Sequence, residues 1–175
     1  MPGSYNPSTI ERLGDIKNGI LVETTDMSYT LWGTAQAELF TVYNRIIMHA
    51  LWIEITATSL VGAGTLMNFT WTNTVPAVAL QDISAASADI DSMDRGERIV
   101  WPGVTLATAT VLSTEGVSLC PTAIPFIIGI APSATVTSYG TIGCLPTVAV
   151  LTAGTAKASI LYTPIDKGAH VVALL

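Results

Sequence analysis

Residues 42–64 read VYNRIIMHALWIEITATSLVGAG. A membrane helix needs about 20 largely uninterrupted apolar residues. Here the run that starts at Ile46 meets His49 after three residues and then Glu54, Thr56, Thr58 and Ser59. The stretch is not a membrane span. Nor do His49 and Glu54 form a local catalytic pair: five positions apart, they point to opposite faces of a regular strand and lie well over a quarter-turn apart on a helix. The content of Ile, Trp, Thr and Val, a tight turn at YNR after AELFTV, and a glycine break at GAG identify a strand. Residues 46–53 are apolar on both faces. A strand of that kind is covered on one side by a second sheet and on the other by a loop or a neighbouring subunit.

The remaining pattern agrees. From Gly19 onward, short β-prone runs alternate with turn residues: GILVETT, SYTLWGT, ELFTVY, TLMNFTWTNT, GVTLATATVL, AIPFIIGI, TVAVLT, KASILYTP and HVVALL. Many short punctuated strands predict an all-β fold, a β-sandwich or a jelly-roll-like barrel. One helix is expected within LQDISAASADIDSMD, where Ile83, Ala86, Ile90 and Met93 repeat at spacings of three, four and three. Pro121, Pro125, Pro132 and Pro146 each lack a ladder donor, so residues 119–146 are expected to supply loops and edge strands. Residues 1–18, with Pro2, Gly3 and Pro7 and few apolar positions, read as an extended N-terminal arm that orders by lying on another surface. Residues 19–175 read as a single β-sandwich domain.

Composition narrows the function. Half of the residues are apolar and 11% are charged, well below the roughly 25% usual for a soluble globular chain. The surface should therefore be rich in Thr, Ser and Asn, or covered by partners. Seven Lys and Arg against a net charge of −6, with no basic cluster, exclude nucleic acid as a partner. The N-terminus lacks the basic start, apolar core and small-residue cleavage site of a secretory signal, and the NFT at Asn68 carries no weight without one. Cys120 and Cys144 have no CxxC spacing. They are read as two buried free thiols, with a single bridge as the alternative.

No motif for catalysis survives inspection. DIDSMDRGE places Asp89, Asp91 and Asp94 close together, but a calcium loop begun at Asp89 would have Met93, Asp94 and Val100 where a ligand, glycine and glutamate are required. The same carboxylates are too crowded to face each other across a glycosidase cleft. No GxSxG elbow accompanies His49 or His170, and His170 falls in an alternating terminal strand as a structural imidazole. GAGTLM has Met67 in place of the third glycine of a dinucleotide fingerprint. Trp32, Trp52, Trp71 and Trp101 lack neighbouring basic residues, which favours core or subunit contacts over a stacking platform. No cofactor, metal or catalytic residue is expected, and the chain is not expected to be an enzyme.

Two stretches carry a resemblance. ELFTVYNRIIMHALWIEITATSLVGAGTLMNFTWTN, residues 38–73, and AGTAKASILYTPIDKGAHVVALL, residues 153–175, resemble small virion proteins of tailed bacteriophages that decorate or cement the capsid. The shared features are an LFTV strand, a turn, a long apolar strand, a glycine-containing break and the closing LYTPIDKGAHV. The resemblance implies a non-enzymatic homotrimer bound to the major capsid protein on the outer surface of the virion, made in the host cytoplasm. On that basis Tyr5, Ile10 and Arg12 are expected in an arm that meets the shell, and Trp32, Trp52 and Trp71 in the core or the subunit interface. The alternatives are a tail, fibre or baseplate component, and a carbohydrate-binding module or small hydrolase using the acidic loop at residues 89–97. A jelly-roll major coat protein is disfavoured by the absence of a basic arm for the genome.

Overall fold

A computed structural model describes residues 19–75, 77, 79–101, 111–113, 126–132 and 139–175. Its strands are β1 (Ile20–Glu23), β2 (Met27–Ser28), β3 (Ala37–Tyr43), β4 (Ile46–Ile55), β5 (Leu66–Val75), β6 (Gln81–Asp82), β7 (Arg98–Val100), β8 (Val111–Ser113), β9 (Phe126–Ile128), β10 (Tyr139–Thr147), β11 (Thr155–Pro164) and β12 (His170–Ala173). Helix α1 is a single turn, Tyr29–Trp32. The fold is all-β, built from two antiparallel sheets. A seven-stranded sheet runs β1-β11-β4-β7-β8, with β2 paired to β11 and β9 to β4; a five-stranded sheet runs β12-β3-β10-β5-β6.

Successive long strands β3, β4 and β5 lie in alternate sheets, as do β10, β11 and β12. The YNR turn is therefore a corner between sheets and not a hairpin within one. Alternation makes each sheet present one apolar face to the other. Ile46, Met48, Leu51, Ile53, Ile55 and Ile160 from the larger sheet meet Phe40, Val42, Phe69 and Ile142 from the smaller in one core.

In β4 the alternation slips once. Leu161 pairs with Ala50 and Tyr162 with Met48, leaving His49 as an extra residue in a bulge. Ile46 and Met48 on one side of it, and Leu51, Ile53 and Ile55 on the other, are all fully buried. The bulge thus keeps both halves of the strand facing the core. It also puts His49 and Glu54 on the same half-exposed face, contrary to the alternation expected of a regular strand. They remain unconnected: His49 Nε2 bonds Thr163 Oγ1 at 2.8 Å, and Glu54 pairs with Arg98 at 2.7 Å.

Four local expectations are corrected. The segment 80–94 is not helical. Gln81 and Asp82 form β6, and the chain then follows β5 irregularly, with Ile83, Ser87 and Ile90 donating backbone N–H groups to the carbonyls of Phe69, Met67 and Thr65. The hydroxyls of Ser84 and Ser87 accept the N–H groups of Phe69 and Met67 at 2.9 and 3.0 Å, where a strand would offer carbonyls. Ser and Asp side chains that bond locally to backbone compete with helix, and here they prevail over an apolar spacing that mimics one. SYTLWGT is β2 only at its first residue and then becomes α1, closed by the Gly33 N–H on the Tyr29 carbonyl at 2.7 Å. TVAVLT contributes only its first residue to a strand, β10.

Residues 119–146 also contain more than edges and loops, because β10 is the central strand of the smaller sheet. Its partner β3 ends at Ala37 opposite Cys144, so Pro146 lies beyond the ladder on that flank. Gly143 lets β3 approach: a side chain there would run into the Ala37 carbonyl.

Candidate functional site

The two outward faces differ in the rows of side chains they present. On the five-stranded sheet, Thr41, Thr141 and Thr72 form one row across β3, β10 and β5. His170, Tyr43 and Tyr139 form another at the sheet's end. Thr41 and Thr141 are buried, exposed Val172 continues their row on β12, and the Thr141 hydroxyl donates to the Glu38 carboxylate at 3.3 Å. The imidazole of His170 stacks on Tyr43 at 4.5 Å and 12°, and Tyr43 meets Tyr139 at 5.6 Å. His170 Nδ1 donates to the Gly168 carbonyl at 2.8 Å.

The outward face of the seven-stranded sheet is different. Antiparallel register places Ile127, Ile47 and Thr163 in one row, and Ala50, Leu161 and Leu21 in the next. Trp52 stands beside Ser159 and Glu23 in the third row. None of Ile127, Ile47, Leu161, Leu21 and Trp52 belongs to the core cluster, and Leu21 and Ile127 are 53% and 61% exposed. The far end of the same face is fenced by charge. Arg98 pairs with Glu54 and lies 5.9 Å from the Trp52 ring centre, while Lys157 pairs with Glu23 at 3.0 Å. The Lys157 ammonium, aided by the Ser159 hydroxyl, holds the Glu23 carboxyl below its ordinary range against a smaller opposing effect of burial. An apolar half bordered by ion pairs has the composition of a contact surface with a polar rim.

The residues singled out in the sequence separate in space. Trp32, Trp71 and Trp101 are buried in the core, whereas Trp52 lies outside it on the outward face of the seven-stranded sheet. Tyr5, Ile10 and Arg12 lie outside the described residues, as does Cys120. Cys144 is buried and carries a free thiol, and burial raises its pKa to about 12.

The acidic loop does not converge on a centre. Asp89 accepts the Asp91 N–H, Asp91 accepts the N–H groups of Gly64 and Thr65, and Asp94 accepts the Ser59 hydroxyl. Each carboxylate ties down a different stretch of loop. Among the described residues, no group of three or more His, Cys, Asp and Glu could hold a metal ion. A shallow cavity of about 190 Å³ lies between Trp71, Gln81, Asp82 and Ile83 on one side and 126–129 on the other. It is smaller than the roughly 300 Å³ at which ligand pockets begin.

Sequence reasoning identified the doubly apolar strand but not the rows that extend it. Leu21, Leu161 and Ile127 lie far from β4 in the chain, and only the strand order joins them. Among the described residues no helix is long and apolar enough to cross a membrane. Compared with family models, with curated proteins and with solved structures, the chain matches none.

Proposed function

We propose that this chain is a non-enzymatic virion protein that binds the outer surface of a tailed-phage capsid as an oligomer and stabilises it. The observation that carries the reading is the apolar half-face of Leu21, Ile47, Leu161 and Ile127 on the outside of a sheet that already has a complete core. A monomer gains nothing from such a face, whereas an assembled subunit buries it. The resemblance of residues 38–73 and 153–175 to small virion proteins that decorate capsids supplies the kind of assembly. A protein that binds only the assembled lattice stabilises it by mass action, because each bound copy opposes loss of shell subunits.

Quantitative mass spectrometry of density-purified particles tests the proposal. Abundance comparable to the major coat protein supports a decorating role. A small share would move the chain to the tail or a vertex, and absence from particles would overturn the virion reading.

A further inference from the structure

Three connections build one end of the sandwich. Register sets Ala37 opposite Cys144, Leu66 opposite Thr147, Ile55 opposite Ala156 and Ser28 opposite Thr155, so residues 29–36, 56–65 and 148–154 leave the sheets at the same end. They are laced together there: the Leu151 N–H donates to the Gly33 carbonyl at 2.8 Å, and the Thr152 N–H to the Val61 carbonyl at 2.7 Å. None of the three contains Asp, Glu, Lys or Arg. Leu31, Val61 and Val150 are each about half exposed, and Val148 is 84% exposed.

Val148 is held out against its own backbone preference. Its φ is +72°, and the Ala149 N–H donates across it to the Thr147 carbonyl at 2.9 Å. That is the rare and strained form of γ-turn, here with a β-branched residue at its centre. Glycine or asparagine would adopt the same backbone with less strain, but would expose no apolar side chain. Backbone strain of this kind concentrates at functional positions. The neighbouring border is acidic: residues 89–97 hold four carboxylates against one arginine. The Ser92 N–H on the Leu60 carbonyl at 3.0 Å and the Ser59 hydroxyl on Asp94 fasten that loop beside the tip. An apolar knob edged by negative charge is complementary to an apolar hollow edged by Lys or Arg.

We infer that this end of the sandwich, with Val148 at its apex, seats in an apolar hollow edged by basic residues on the coat shell. The inference rests on the virion reading and divides its contacts between two surfaces. The apolar half-face is left to the contact between copies, and the Arg98–Glu54 and Lys157–Glu23 ion pairs stand between it and the tip. In a cyclic oligomer whose subunits meet side by side, every copy carries the same end of the sandwich to the same side. Several tips then engage the lattice at once, and the oligomer holds more tightly than a single copy.

Full-chain Val148→Asn tests it by co-sedimentation with coat shells that lack this chain. Asparagine tolerates the left-handed backbone, so the urea midpoint should rise while the size of the free oligomer stays the same. Rebinding of the variant to shells should be at least about tenfold weaker, and rebinding of the unmodified chain should weaken as salt is raised. A valine that served only the fold would give the reverse, a lower midpoint with rebinding intact, and that result would overturn the inference. So would rebinding insensitive to salt, or a variant that loses its oligomer, which would assign the tip to the contact between copies. Failure of the unmodified chain to bind shells would remove the virion reading itself, whereas equal binding by chain and variant would remove the inference alone.

Discussion

Arg45 grips Asp166 across 121 positions of sequence. Nε donates to Oδ2 at 2.9 Å, Nη2 donates to Oδ1 at 2.8 Å, and the Arg45 backbone N–H adds a bond to Oδ2 at 3.1 Å. The Ile165 N–H returns a bond to the Arg45 carbonyl at 3.0 Å. Arg45 ends the corner from β3 to β4, and Asp166 lies in the corner from β11 to β12. One planar, bidentate contact therefore fastens two places where the chain changes sheets. Asp166→Ala should lower the urea midpoint more than Asp166→Asn, because asparagine keeps an acceptor for the Arg45 N–H. Equal midpoints for the two variants would show that only charge matters.

The same contact fixes an acid response. Hydrogen bonds from Arg45 hold the Asp166 carboxyl below its ordinary value of 3.8, and those from Lys157 hold the Glu23 carboxyl below 4.5. Carboxyls depressed in the folded state contribute stability that is present above these ordinary values and is lost as pH falls through the folded ones. Urea midpoints measured from pH 6 to pH 2.5 should decline below about pH 4.5. Asp166→Asn should flatten part of that decline.

Ser84 and Ser87 stand in for strand carbonyls beside β5, and both are buried. Removing either hydroxyl leaves a backbone N–H without its partner inside the protein. Ser84→Ala or Ser87→Ala should each cost about 1–3 kcal/mol in denaturant unfolding. A loss near zero would mean that the irregular segment re-forms its bonds along β5.

Cys144 should be inert in the folded protein, since burial both shields the thiol and raises its pKa to about 12. In a Cys120→Ser chain at pH 8, a thiol reagent should label it only as fast as the protein unfolds. Rapid labelling in buffer would contradict a closed core at β10.

The sandwich was legible because the runs that form β3, β4, β5 and β11 are rich in β-branched, aromatic and other apolar residues and are punctuated by glycines and turn residues. β10 was harder to read, because Gly140, Gly143 and Pro146 are poor strand formers in isolation. Here they are tolerated because the neighbouring strand crowds Gly143 and the β3 ladder stops before Pro146. The segment at 80–94 misled for the opposite reason: its apolar spacing is helical, while its serines are committed to the backbone of β5. On the outward face of the larger sheet, Trp52 was visible in sequence. Leu21, Leu161 and Ile127 became its neighbours only through strand order, which local periodicity does not encode.

The bulge at His49 makes β4 one residue longer than its partner requires. Met48 and Leu51 both point inward with two residues between them, so a chain lacking His49 would retain an unbroken in-and-out pattern and every core side chain would keep its side. In most strands, losing a single codon inverts all that follows. At this position the loss would be confined to one imidazole and its bond to Thr163, so one of the two ten-residue strands of the larger sheet has a place where its length can change by one without scrambling the protein.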